Sequence, residues 1–192
     1  MTQTNNKKEQ CQAFARKIQS MFPDVRMMSS DELLAMDHRD NNVVLVDVRS
    51  EPEQAVSVVE GGISLSQLDT SKLPRDAHLV TYCTVGFRAC LEARRLKEEN
   101  PNLQVSSLDG IACYTHVLKN GNSNNNTRKI IEPWTGKESR RVHTFGKQWD
   151  CLSDDFEPLT FSGLDYAIYT AQFGASMAWK TIRNKFMKYA AT

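Results

Sequence analysis

No large excess of charge of either sign marks this chain: 24 Lys and Arg stand against 23 Asp and Glu over 192 residues, a formal net charge of +1. That balance excludes a global electrostatic pull toward nucleic acid or an anionic lipid surface, so no nucleic-acid and no membrane partner is expected. Long hydrophobic runs are also missing; no window of about 18 apolar residues occurs, which leaves no candidate helical span. The opening residues Met1-Thr2-Gln3-Thr4-Asn5-Asn6-Lys7-Lys8-Glu9 are polar and no apolar segment follows them, so no leader and a cytoplasmic location are expected. The five cysteines (Cys11, Cys83, Cys90, Cys113, Cys151) contain no C-x-x-C pair, are odd in number and do not cluster with the four histidines. Their spacing argues against a zinc site and a secreted disulfide framework, and no metal or other cofactor is expected.

What is present is ordinary globular material, 40% hydrophobic and 24% charged, long enough for one well-buried domain with an extension. Residues 1–24 read as an N-terminal amphipathic helix, with Cys11, Phe14, Ile18 and Met21 at helical spacing and Pro23 ending it. Val25-Arg26-Met27-Met28 suits a short strand, and Ser30-Asp31-Glu32-Leu33-Leu34 an N-capped helix start. Val43-Val44-Leu45-Val46-Asp47 is a continuous β-branched run of the kind buried on both faces in a parallel sheet. A helix over Glu51–Val56, a turn at Gly61-Gly62, a strand ending at Tyr82 and a helix over Phe87–Glu99 follow. In that last helix Ala89, Ala93 and Leu96 point inward, while Glu92, Arg94, Arg95, Lys97 and Glu98 face mostly outward. Leu103–Leu108 reads as another strand and Gly110–Lys119 as another helix.

Strands alternating with helices of this length predict an α/β fold, a parallel sheet flanked by helices on both faces, with ligands beyond the carboxyl ends of the strands. The domain spans 25–122, since Asn120-Gly121-Asn122-Ser123-Asn124-Asn125-Asn126 is turn-rich and marks a boundary. Residues 123–192 form an extension, loop-like around Trp134 and Trp149. It then turns helical from Gly163 to Tyr189, where Leu164, Ile168, Ala171, Ala175, Ala178, Ile182, Phe186 and Tyr189 recur at steps of three and four. Lys180, Arg183, Lys185 and Lys188 suit the negative pole of that helix.

The most informative stretch is Leu79-Val80-Thr81-Tyr82-Cys83-Thr84-Val85-Gly86-Phe87-Arg88, in which a short apolar strand empties into a cysteine just ahead of a helix. Unpaired N–H groups and the positive end of a helix dipole favour an anion there, so thiolate chemistry is expected of Cys83. Gly86 suits a loop that must curl its amides inward, and Arg88 offers a forked cation at the loop mouth.

Leu45-Val46-Asp47-Val48-Arg49 with Glu53, then Gly61-Gly62, then Tyr82–Arg88, then Leu108-Asp109-Gly110 resemble, in order and spacing, a single-domain rhodanese. Arg141-Val142-His143-Thr144-Phe145 with Trp149 resembles a tail found in some rhodanese-like proteins. The resemblance implies a sulfurtransferase that moves a sulfane sulfur from a thiosulfate-type donor to cyanide or a thiol through a Cys83 persulfide. Cys83 is then the catalytic residue, and Thr84, Val85, Gly86, Phe87 and Arg88 bind the substrate. Four residues separate Cys83 from Arg88, against five in the phosphatases and arsenate reductases on this fold, so the cradle suits sulfur rather than a tetrahedral oxyanion.

Asp47 and Arg49, at a strand end, are expected to form a buried structural pair with neighbours such as Glu53. Cys90 is expected in the core and Cys11 and Cys151 as bystanders; the resemblance implies a turn after the last strand that lies near the loop, which leaves both a structural role and the resolving of a Cys83 persulfide open to Cys113. An alternative is a sensor module whose C-terminal helix binds a partner. That helix is expected to fold back over the core, pair with a second copy in a homodimer, or dock a protein partner.

Overall fold

Helix α1 (Gln3–Met21) opens the chain, followed by β1 (Arg26–Met28), α2 (Ser30–Ala35), β2 (Val43–Asp47) and α3 (Glu51–Val56). Two short strands, β3 (Val58–Val59) and β4 (Ile63–Ser64), precede β5 (His78–Tyr82), α4 (Phe87–Glu99), β6 (Gln104–Leu108) and α5 (Ile111–Leu118). Next come β7 (Ile130–Ile131), β8 (Arg141–His143) and β9 (Glu157–Leu159), and a helix over 163–175, α6. The computed structural model describes residues 3–36, 42–118 and 127–175.

Five strands form one sheet in the order β1-β6-β5-β2-β4, every pair parallel. Each residue of β5 is buried, so the centre of the sheet is covered on both faces, as crossover helices require. Leu45, Val46, Leu79, Val80, Tyr82, Leu108 and Ile111 lie in one apolar cluster, each full burial of an aliphatic side chain contributing about 1.5–3 kcal/mol. Register aligns the strand ends: Asp47 pairs with Tyr82, and Thr81 with Ser107. The loops after β2, β5 and β6 therefore leave the sheet side by side, and a ligand beyond the sheet meets all three.

Local signals account for the helix starts. Ser29 caps α2 by accepting from Glu32 N (3.1 Å) while Glu32 Oε2 accepts from Ser29 N (2.8 Å), a reciprocal capping box. Glu53 plays the same part toward Ser50 N (3.0 Å) at the start of α3. Two side chains depart from the sequence pattern. Met21 is 52% exposed and Phe22 is buried in its place, packed edge-on against Phe87 at 5.5 Å. The helix ends at Met21, so the larger aromatic turns inward on the first non-helical residue. Glu92, expected outside, is buried, because Arg95 one turn on lies over it and pairs with it.

The boundary expected near Asn122 falls outside the described residues, and the segment after it is more than a loop. Contacts divide the chain into Met1–Leu159 and Thr160–Thr192, so 127–159 belongs with the sheet. β7 pairs antiparallel with β3, and β8 runs parallel to β9. Tyr114 donates to Arg128 O (2.7 Å), Ser57 Oγ to Arg141 O (2.6 Å), His116 Nε2 to Cys151 O (2.8 Å) and Ser153 N to Thr115 Oγ1 (2.9 Å). Within the second unit, Leu164 and Ile168 of α6 are exposed. Lys180, Arg183, Lys185 and Lys188 lie outside the described residues. Among those residues no helix is long and apolar enough to cross a membrane.

Candidate active site

Cys83 is the first residue past β5 and is 1% exposed. Gly86 (φ +93°) caps α4 in the left-handed region that glycine enters without strain. Gly110 (φ +127°) is more demanding: a Cβ there would lie 2.5 Å from Thr84 O and 2.8 Å from Val85 Cα. The loops after β5 and β6 thus touch backbone to backbone. Ile111 N donates to Cys83 O (2.9 Å) and Ala112 N to Thr84 O (3.1 Å), which satisfies the first two amides of α5. None of the described peptide bonds is cis, and in a planar trans peptide the C=O and the following N–H point oppositely. With the carbonyls of Cys83 and Thr84 turned to α5, the N–H groups of Thr84 and Val85 point away from it.

The charges at this strand edge form two pairs. Arg88 donates from Nη1 to Glu53 Oε2 (2.7 Å), from Nη2 to Glu53 Oε1 (2.7 Å), and from Nη2 to Thr84 Oγ1 (3.3 Å). The forked cation expected at the loop mouth is therefore occupied by a carboxylate. Burial alone would push the Glu53 carboxyl up, but the hydrogen bonds and charge of Arg88, the charge of Arg49 and a bond from Ser50 outweigh it and hold it at about 2. Asp47 and Arg49 pair with each other rather than with Glu53. Arg49 Nε (3.0 Å) and Nη2 (2.7 Å) donate to the two carboxylate oxygens, and Nη2 also reaches Ser57 O at 2.6 Å. Both side chains are buried, with the guanidinium 5.7 Å from the Tyr82 ring centroid. The sequence put Asp47, Arg49 and Glu53 in one buried group; the structure adds Arg88 to it.

Two residues of the 127–159 segment reach this group. His143 is buried, and its Nδ1 accepts from Phe145 N (3.1 Å), so a neutral ring carries its proton on Nε2. Burial lowers its proton affinity and the charges of Arg49 and Arg88 lower it further, while Glu53 opposes them. Phe145 lays its ring over Arg88, with 5.2 Å from Cζ to the centroid. Composition and spacing carried no sign that these residues meet the Cys83 loop; only the order Arg141–Phe145 in the tail pointed to the segment.

The remaining cysteines fall into two settings. Cys90 is buried on the inner face of α4, and burial pushes its thiol up to about 11. Cys11, Cys113 and Cys151, from α1, α5 and the loop after β8, meet instead. Cys11 Sγ donates to Cys151 O at 3.1 Å, and the thiols of Cys113 and Cys151 both lie against its own, which raises its proton affinity. Cys11 and Cys151 are thus partners in a buried contact, and Cys113 turns its thiol to Cys11. Among the described residues no group of three or more His, Cys, Asp or Glu is arranged to hold a metal ion.

Asp109, the first residue past β6, meets the first turn of α2 from the strand next to β1, accepting from Ser30 N (3.0 Å) and Ser30 Oγ (2.5 Å). Burial raises its carboxyl to about 6, with Asp31 and Glu32 adding to the rise and the Ser30 bonds opposing it. An acid raised from 3.8 to about 6 contributes stability that is fully present below pH 3.8 and lost as pH rises through 6. Asp109→Asn is expected to flatten the stability profile between pH 4 and 6 and to stabilise the protein by about 1–2 kcal/mol at pH 7.5. Urea unfolding at both ends of that range checks it; an unchanged slope refutes the assignment.

No family model matches the chain. Over 54 residues it is 43% identical to tRNA sulfurtransferase from Desulfurococcus amylolyticus, a match covering 28% of this chain and 11% of that protein. The chain thus spans about a tenth of that relative's length. Among solved structures it is similar to thiosulfate sulfurtransferase from Pseudomonas aeruginosa, with a TM-score of 0.47 and 17% identity over 56% of this chain and 22% of that one. It is also similar to the polysulfide-sulfur transferase homodimer from Wolinella succinogenes, with a TM-score of 0.41 and 17% identity over 55% of this chain and 83% of that one.

Proposed function

We propose that this chain is a rhodanese-type sulfurtransferase that carries sulfane sulfur on Cys83. The observation that carries this reading is the placement of Cys83 at the carboxyl end of β5, ahead of the α4 N-terminus, with its own carbonyl and that of Thr84 bonded to α5. The Cys83 thiolate attacks the outer sulfur of a thiosulfate-type donor, whose S–S bond breaks and whose remaining fragment leaves with the electron pair. Thr84 and Val85 N–H groups, with the α4 dipole, stabilise the Cys83 persulfide. A thiolate or cyanide then attacks the outer sulfur and releases Cys83. Incubation with a sulfane donor, followed by intact mass and peptide mapping, tests this: a one-sulfur adduct on Cys83 that cyanide discharges as thiocyanate is expected. Absence of the adduct with every donor overturns the proposal.

The exposure of Leu164 (75%) on α6 favours a second reading, in which the same Cys83 chemistry serves a sensor and α6 docks a protein partner or a second copy of the chain. Sulfur loading kept by a chain ending at Leu159, together with loss of self-association or of a bound partner, would select it.

A further inference from the structure

We infer that Phe145 is a donor-specificity residue: laid over an Arg88 already neutralised by Glu53, it makes the Cys83 site favour small hydropersulfides over thiosulfate. This rests on the reading of Cys83 as a sulfur carrier and names the donor class that site takes.

The charged side chains at the site cancel one another. Arg88 is matched by Glu53 and Arg49 by Asp47, each through two or more hydrogen bonds, so the two cations and two carboxylates sum to zero. His143 is buried with Nδ1 engaged as an acceptor, and Thr84, Val85, Gly86 and Phe87 carry no charge. Among the described residues, what remains for an anion is the loop amides and a helix N-terminus, the equivalent of about half a positive charge, together with Arg49 Nη1, a buried N–H without a hydrogen-bond partner on a guanidinium already paired with Asp47. Thiosulfate brings two negative charges, and its leaving group, sulfite, also carries two. Drawn into a buried cradle where both cations among the described residues of the site, Arg49 and Arg88, are already paired, such a dianion loses its hydration against little return.

A hydropersulfide makes a smaller demand. Cys83–S⁻ and R–S–SH give Cys83–S–SH and R–S⁻: the new bond joins Cys83 Sγ to the outer sulfur, the R–S bond to that sulfur breaks with its electron pair going to R–S⁻, and the proton stays on the transferred sulfur. One negative charge moves from sulfur to sulfur, within what the amides can stabilise.

Phe145 enforces this choice. Its ring covers the face of Arg88 at 5.2 Å, while Glu53 and Thr84 take the guanidinium's edge. With water kept off one face, the Arg88–Glu53 pair is harder to open for an incoming oxyanion. The backbone holds Phe145 at φ +66°, the one described non-glycine residue with positive φ, at a cost of about 1–2 kcal/mol. Three bonds keep it there: Phe145 N to His143 Nδ1 (3.1 Å), Thr144 N to Leu159 O (2.8 Å) and Gly146 N to Thr144 O (2.8 Å). Strain retained at this position keeps the ring on Arg88, the cation beside the reactive loop.

The test measures second-order loading of Cys83 by thiosulfate and by cysteine hydropersulfide in the full chain, read by intact mass. A free thiol, N-acetylcysteine, gives the intrinsic reactivity ratio of the two donors. The wild-type protein is expected to exceed that ratio at least tenfold in favour of the hydropersulfide. Phe145→Gly, which keeps the left-handed backbone and removes the ring, is expected to bring the ratio at least tenfold toward thiosulfate. Phe145→Asn tolerates the same φ and is expected to do likewise; Phe145→Tyr is expected to restore the wild-type preference. A wild-type ratio equal to that of the free thiol, or a ratio within threefold of wild type in both ring-less variants, overturns the role of Phe145 and leaves the sulfur-carrier reading standing. Loading from neither donor overturns both.

Discussion

Serine in place of Cys83 is expected to lower sulfur transfer by about 10⁴-fold or more, since the covalent intermediate disappears with the sulfur that forms it. A serine hydroxyl stays protonated at neutral pH and has no persulfide to form. The fold should survive. Cys83 sits at a strand end whose backbone carbonyl, rather than its side chain, holds α5 through Ile111 N. Burying a hydroxyl where the thiol was costs about 1–2 kcal/mol, within the stability of an ordinary domain. Cys90→Ala supplies the contrast: its thiol, pushed up to about 11 by burial, is protonated at pH 7.5, so loading is unchanged while stability falls. Intact mass after donor incubation and thiocyanate release on adding cyanide read both variants. Sulfur loading that persists in Cys83→Ser would remove the basis of the proposed function.

The parts of this site that could be read from sequence are the parts set by local chemistry. Val43–Asp47, Glu51–Val56 and Phe87–Glu99 emerge at their expected bounds because each has its signal within a few residues: a β-branched run, a Ser50–Glu53 capping box, a glycine before an amphipathic stretch. The Cys83 loop was legible for the same reason. The two-residue strands β3, β4 and β7 were not, since a period of two needs more than two residues to show. Partners far apart in sequence were hidden as well. Arg88 and Glu53 are 35 positions apart, and Cys11 reaches across 140 to Cys151. Phe145 escaped for a further reason: a left-handed phenylalanine contradicts its own local preference, and only the surrounding contacts hold it there.

Glu53→Gln should be the most damaging single change away from Cys83, because it leaves the Arg88 cation in a buried site with its compensation gone. Removing one partner of a buried ion pair costs about 3–5 kcal/mol, far more than the pair contributes relative to apolar residues of the same shape. For a chain of this size that corresponds to a melting point about 10 °C lower. The pH dependence separates this cause from lost packing. Glu53 has its carboxyl lowered from 4.5 to about 2, so its contribution is fully present above pH 4.5 and is lost as pH falls toward 2. The wild-type protein should therefore lose about 3 kcal/mol across that window through this group, and the variant should lose correspondingly less. Denaturant titrations at pH 2.5 and 6 compare the two; parallel losses would show that Glu53 is not the group holding Arg88. The variant bears on the donor as well. With its carboxylate gone, Arg88 carries an unmatched positive charge beside Thr84, and at a temperature where Glu53→Gln is folded, loading by thiosulfate should rise relative to hydropersulfide. The same ion pair that stabilises the fold then also sets which sulfur donor the loop accepts.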